Sequence, residues 1–302
     1  MEIAMNIAFS WDRASGCDRN NWNSCSCIAY EFERLGHTFD YYPFDPDNTN
    51  FDKLITNAHK YDFLYMGVAG PHQSFDNELQ KLRSKTSTKV MMEFGDDIPT
   101  SNFFIFRKTL TDHIITPDLR CCKKYLDEGF SAHWHPNFCD PNIYYKINQD
   151  RKNICVTTCG HNRPLLKEFS EMFGEKFIAK HVSPQDSANF YNSGTFTYQY
   201  ARWNELTRRI FEAGGCGNAV ITNRLSEDSG IYDLFPEDEC VAYFSTPKEA
   251  YEKMIKLYED DDYRNYLANN LYKTVIEKHL VQHRVQKILE AYNEKLHNPT
   301  DI

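Results

Sequence analysis

The chain has 302 residues, 41% of them hydrophobic and 25% charged, with 34 Lys and Arg against 43 Asp and Glu. That is enough chain for two domains, each burying its own core, in a composition ordinary for globular proteins. The formal charge of −9 disfavours sequence-independent binding to a phosphate backbone. No run of about 18 apolar residues offers a membrane span, and the apolar N-terminal stretch is too short for a leader, so a cytoplasmic location is expected.

In chain order, residues 4–10 predict a strand that runs into a polar loop, 11–23, holding Trp11, Asp12, Arg13, Asp18, Arg19 and Trp22. A helix over 24–35 closed by Gly36 and a strand over 38–42 complete a βαβ opening. Ligands of open α/β sheets bind beyond the carboxyl ends of strands, which is where this loop belongs. Alternation continues with a helix over 53–59, a strand over 63–68 and a loop bearing His72. A helix over 75–83 and a strand over 89–94 ending in Gly95-Asp96-Asp97 follow. Asp96 and Asp97 read either as strand-end site carboxylates or as a helix or turn cap. Strands at 113–116 and 131–135 flank a helix over 119–126.

Pro136, Asp140-Pro141 and the polar run 148–153 mark a boundary, giving a first domain over 1–150. The second, over 151–280, opens with a strand at 154–157 and a loop ending in Arg163. Further strands are expected at 177–179, 195–200, 219–222 and 240–243, with helices between and then over 248–258 and 262–278. A last helix is expected within 281–302. The fold class is α/β, the alternation arguing for parallel sheets flanked by helices in each domain.

Ten cysteines lack the pair spacing of a structural zinc site, and are expected as half-buried thiols of a reducing compartment. His133 and His135 share one strand face; with no third ligand in view, packing is expected and no metal site.

The most informative stretch is Arg208-Arg209-Ile210-Phe211-Glu212-Ala213-Gly214-Gly215-Cys216-Gly217 with the apolar run that follows. A helix opening near Asn204 or Thr207 places Glu205, Arg209, Glu212 and Cys216 on one face and aims free N–H groups at an anion. Two glycines inside it cost about 1 kcal/mol each and demand a close approach, by a ligand such as phosphate or by another element. On spacing alone, Arg209 and Glu212 within one turn read first as a pair that neutralises itself in a buried helix.

The run 198–217 resembles the donor-site signature of CgeB-like (spore-maturation-protein-like) glycosyltransferases, in which a polar strand end precedes an R-[VI]-F-E-A-x-x-C-G helix. Leu234-Phe235, Glu239, Val241, Tyr243, Glu249, Arg264, His279 and Arg284 fall at recurring positions of that family, and the likeness is sharpest over 198–290. The resemblance implies GT-B architecture, two doubly wound Rossmann-like domains with the last helix, 281–302, crossing back to pack on the first, the donor on the second domain, the acceptor on the first and transfer in the cleft between them. It implies that arginines and helix N-termini, with no metal cofactor, stabilise the leaving diphosphate. Arg209, then Arg163, would meet the diphosphate of a UDP- or GDP-linked sugar, and Glu212 the ribose hydroxyls. Gln199 and Gly215 complete the donor set, although relatives carry asparagine at the former.

Asp12, Asp18, His72 and Asp96 are the candidates for the acceptor-side base. The expected acceptor is a carbohydrate or glycoconjugate, with hydroxymethylated DNA as the main alternative; there Trp11, Arg13, Arg19, Trp22, Arg107 and Lys108 would serve the duplex. A catalytically silent nucleotide-sugar binder and a sugar-phosphate epimerase of the same architecture are the other readings. The stereochemical outcome stays open, the resemblance suggesting retention.

Overall fold

The computed structural model describes residues 4–11, 24–44, 49–69, 73–95, 97–98, 105–158 and 163–297. The chain divides into two compact units, Met1–Pro136 with Gln282–Ile302, and Asn137–Val281.

The first unit is a six-stranded parallel sheet in the order β2-β1-β3-β4-β5-β6. Its strands are β1 (Asn6–Trp11), β2 (Thr38–Tyr41), β3 (Phe63–Ala69), β4 (Lys89–Gly95), β5 (His113–Thr116) and β6 (Ala132–Trp134). The connecting helices are α1 (Ser24–Arg34), α2 (Thr49–Asn57), α3 (Gln73–Lys85) and α4 (Leu119–Asp127). Parallel strands covered on both faces need continuous apolar character, and Leu64, Tyr65 and Met66 of β3 with Val90, Met91 and Met92 of β4 are all fully buried. Gly36, at φ +90°, ends the first helical segment in the left-handed conformation that residues with a Cβ avoid. Asp118 caps α4, accepting from the backbone N–H groups of Arg120 and Cys121.

The second unit is a five-stranded parallel sheet in the order β11-β10-β9-β7-β8. Its strands are β7 (Asn153–Thr157), β8 (Phe177–Ala179), β9 (Gly194–Gln199), β10 (Ala219–Asn223) and β11 (Ala242–Phe244). Around them lie α5 (Leu166–Phe173), α6 (Pro184–Ser193), α7 (Arg208–Gly215), α8 (Ile231–Leu234), α9 (Pro247–Glu259) and α10 (Asp261–Lys278). In both units the strand first in sequence lies inside the sheet, with the second strand on one side and the third on the other. The winding direction reverses between β1 and β3 and again between β7 and β9, and such reversal points are where open α/β sheets bind ligands.

The final helix, α11 (Val281–Ala291), continues as a wider turn over Tyr292–His297. It packs within the first unit. The Tyr292 ring lies 5.0 Å from that of Phe63, and the buried Arg284 donates from Nε to the Pro136 carbonyl at 2.6 Å.

Three expectations change. Cys240 lies in a turn before β11. The α7 helix is shorter than the spacing suggested: it begins after Thr207, so Glu205 lies outside it and Cys216 is its C-cap. The described cysteines are buried thiols outside any disulfide, not half-buried ones; Cys17 and Cys159 lie outside the described residues.

Candidate functional site

The carboxyl end of β7 delivers Thr158, and the carboxyl end of β9 leads through a short loop to the N-terminus of α7. That loop is pinned. Gln199 Nε2 donates to Thr207 Oγ1 at 2.6 Å, and Asn137 Nδ2 to the Leu206 carbonyl at 2.7 Å. Asn204, at φ +57°, exchanges two hydrogen bonds with Ser226. The first turn of α7 is thereby held at the carboxyl end of the sheet, where the winding reverses between β7 and β9.

On this frame a chain of polar groups runs from cation to anion. Arg209 Nε donates to Thr158 Oγ1 at 3.0 Å; Thr158 Oγ1 lies 3.2 Å from Tyr191 Oη; Tyr191 Oη donates to Glu212 Oε2 at 3.1 Å. The other carboxylate oxygen of Glu212 accepts from Arg208 Nε at 2.8 Å. Glu212 is buried and Tyr191 completely so. Burial first, and the Glu212 charge second, hold the Tyr191 phenol well above its ordinary pKa, so it stays a donor. Arg163, in the loop after β7, has a buried Nε with no hydrogen-bond partner among the described residues. A buried cationic donor without an acceptor is costly, which suits this position to an anion. Its loop is tied to β9 by Tyr198 Oη, which donates to the Pro164 carbonyl at 2.7 Å.

Arg209 and Glu212 are therefore brought together, though not as an ion pair with each other. Glu212 pairs with Arg208, leaving Arg209 with a hydroxyl partner and, among the described residues, no carboxylate. Gln199 is fully buried and serves to anchor Thr207, so its amide positions the helix rather than facing outward. Gly215 is explained by packing. A Cβ there would sit 2.3 Å from Cys139 Sγ and 3.2 Å from the Tyr144 carbonyl, and one on Gly214 would meet Leu271 and Val275 at 2.9 Å. The close approach that both glycines demanded is made by protein, the second of the two readings their positions allowed.

Of the downstream family positions, His279 is buried against Phe211 and Phe235, and Glu249 accepts from the Ser245 N–H at the start of α9. Arg264 pairs with Asp261 and donates to the Leu257 carbonyl. These residues build the unit. Tyr191, Thr158 and Arg208 are the partners that sequence reasoning missed. Arg208 had a signal, its four-residue spacing to Glu212; Tyr191 and Thr158 had none, since only the strand order brings them near.

Asp12, Asp18, His72 and Asp96 lie outside the described residues, as do Arg13, Arg19 and Trp22. Asp97 is buried, its Oδ2 accepting from Tyr125 Oη at 2.9 Å and Thr116 Oγ1 at 3.1 Å. Burial pushes its carboxyl up to about 6 against the pull of those bonds. It ties the end of β4 to β5 and α4. Arg107 is fully buried in an ion pair with Asp76, and Lys108 pairs with Glu128. Trp11 is buried with its ring over Gly67. His113 Nε2 and His133 Nδ1 are 2.7 Å apart and their rings stack, in keeping with packing. Among the described residues no three His, Cys, Asp or Glu are grouped to hold a metal ion, and no helix is long and apolar enough to cross a membrane.

Residues 158–290, from Thr158 through α7 and α10 into α11, match a family model described as glycosyl transferase-like. Two solved structures extend the likeness in fold over nearly the whole chain. HepE of Anabaena in complex with UDP superposes with a TM-score of 0.68 at 13% identity, covering 96% of this chain and 100% of that one. Sucrose-phosphate synthase from Thermosynechococcus elongatus gives 0.67 at 10% identity, covering 96% and 98%. The fold is that of a GT-B glycosyltransferase. A DNA-modifying β-glucosyltransferase, solved in the presence and absence of uridine diphosphoglucose, shares this GT-B fold with a TM-score of 0.60 at 12% identity, covering 96% and 100%. A comparison with curated proteins found no match by sequence.

Proposed function

We propose that this GT-B glycosyltransferase moves a sugar from a UDP-linked donor to a hydroxyl of a carbohydrate or glycoconjugate, in the cytoplasm, and that it belongs to the CgeB-like branch. The observation that carries the reading is the Arg209–Thr158–Tyr191–Glu212 chain at the reversal point of the second sheet, inside the segment that matches the glycosyl transferase-like family. As the donor bond breaks, negative charge grows on the departing diphosphate. Guanidinium groups of Arg209 and Arg163, with the N–H groups of the first turn of α7, are the groups at this site that can meet it. Glu212, held acceptor-only between Arg208 and Tyr191, offers its remaining lone pairs to ribose hydroxyls. The UDP bound by HepE supports the choice of nucleotide.

Three side chains that a duplex-binding rim would recruit are already spent internally: Trp11 lies over Gly67, Arg107 pairs with Asp76 and Lys108 with Glu128. This favours the carbohydrate acceptor over modified DNA. The test is to titrate UDP, UDP-glucose and GDP against the melting temperature, since a ligand at a hundred times its Kd adds about 2.7 kcal/mol. Labelled donor is then offered to a glycan panel and, separately, to hydroxymethylpyrimidine DNA. Transfer to the DNA alone would overturn the acceptor assignment, and no stabilisation by any nucleotide would overturn the donor site.

A further inference from the structure

Tyr191 does not have to be polar for packing: its ring is enclosed by Tyr144 and Phe190, and Asn218 Nδ2 holds its backbone carbonyl at 2.5 Å. Yet its hydroxyl stands between Glu212 Oε2 at 3.1 Å and Thr158 Oγ1 at 3.2 Å. The direction of every proton in this chain is dictated by its ends. A guanidinium only donates, so Thr158 accepts from Arg209; a carboxylate only accepts, so Tyr191 gives its single proton to Glu212. Thr158 must then give its proton to Tyr191. Arg209, Thr158, Tyr191 and Glu212 form one uniformly polarised run, in which each bond strengthens the next and neither end can turn without breaking it.

We infer that Tyr191 and Thr158 are positioning residues forming a hydroxyl relay: Tyr191 orients Glu212 toward the ribose and Thr158 orients Arg209 toward the diphosphate, so that the two halves of the donor are read together. This rests on the donor-site reading above. A carboxylate offers about four lone-pair directions, and Arg208 with Tyr191 occupy one on each oxygen. What remains is a fixed pair of acceptor directions. That arrangement suits a vicinal diol better than a single hydroxyl, so the relay sets discrimination between ribose and 2′-deoxyribose donors. With Tyr191 unable to swing away, the orientation exists before the nucleotide arrives.

The test compares UDP and 2′-deoxy-UDP binding by calorimetry on the full chain carrying Tyr191→Phe, Thr158→Val or both. Tyr191→Phe keeps the enclosed ring and should lower UDP affinity about fivefold to tenfold while pulling the UDP to 2′-deoxy-UDP ratio toward one. Thr158→Val should weaken UDP by a similar factor and leave that ratio as in the unsubstituted protein. The double variant should be little worse than Tyr191→Phe, because both cut one chain. A merely structural role would move the melting temperature and not the ratio. Should Tyr191→Phe fail to fold, Thr158→Val still decides, since UDP affinity equal to the unsubstituted protein's there overturns the relay. An unchanged ratio in a folded Tyr191→Phe overturns it too. An unsubstituted protein that binds no UDP removes the donor reading itself, and the relay with it.

Discussion

Replacing Gly215 by alanine separates a packing role from a ligand role for the end of α7. The added Cβ would lie 2.3 Å from Cys139 Sγ and 3.2 Å from the Tyr144 carbonyl oxygen. Neither neighbour can step aside easily. Cys139 is fully buried, and its backbone is held on both sides, by its N–H to the His279 carbonyl at 2.9 Å and by its carbonyl to the Val281 N–H at 3.0 Å. An extra methyl in a packed core costs about 1–3 kcal/mol, while replacing a helical glycine by alanine returns at most about 1 kcal/mol. The net loss should be about 1–2 kcal/mol, a drop of roughly 2–8 °C in Tm for a unit of this size. Differential scanning calorimetry with and without UDP measures it. Adding Cys139→Ala removes the sulfur and leaves the nearest side-chain atom, Cys139 Cβ, 3.5 Å away. The double variant should therefore be more stable than the sum of the two single effects predicts. A Gly215→Ala protein that melts like the parent but binds UDP more weakly would refute the packing account and restore Gly215 to the nucleotide.

Glu212→Ala should raise the donor KM, and Arg209→Ala should lower kcat as well, if they meet ribose and diphosphate respectively; two folded variants that turn over normally would sink the donor site. Activity should survive EDTA, because arginines are expected to carry the leaving charge; loss with EDTA and recovery with Mn²⁺ would contradict this. Asp97, with its folded pKa raised from 3.8 to about 6, is disfavoured as a carboxylate in the folded state. Its contribution is therefore greatest below about pH 4 and declines as pH rises through 6, by roughly 3 kcal/mol in all. Asp97→Asn should flatten that slope in a pH series of melting curves. The histidines run the other way. Burial, then the His113 charge, pushes His133 down to about 3, so stability is full above pH 6.5 and is lost as pH falls toward 3. His133→Phe should reduce the acid loss measured by the same series.

The local order of the chain was legible in its residues. Alternating apolar runs and turn residues placed β5 and β8 at their observed bounds, and most other elements to within a few residues of an end, because strand and helix periodicities are properties of neighbours in sequence. Family likeness also singled out Arg209 and Glu212. Tertiary structure decided what those residues touch. On the helix alone, Glu212 can pair three residues back with Arg209 or four back with Arg208; Thr158, delivered by β7, takes the first guanidinium and leaves the second to the carboxylate. The hydroxyl of Tyr191 arrives from α6 only because β7 and β9 are adjacent in the sheet. The glycines of α7 carried a signal of close approach but not of what approaches, and the answer, Cys139, Tyr144, Leu271 and Val275, comes from segments distant in sequence. Charge misled in the same way. Arg107 and Lys108 look available in the sequence, yet Asp76 and Glu128, 31 and 20 residues away, neutralise them. A residue's type and its place on an element follow from local chemistry, whereas its partner depends on which strands the fold sets side by side.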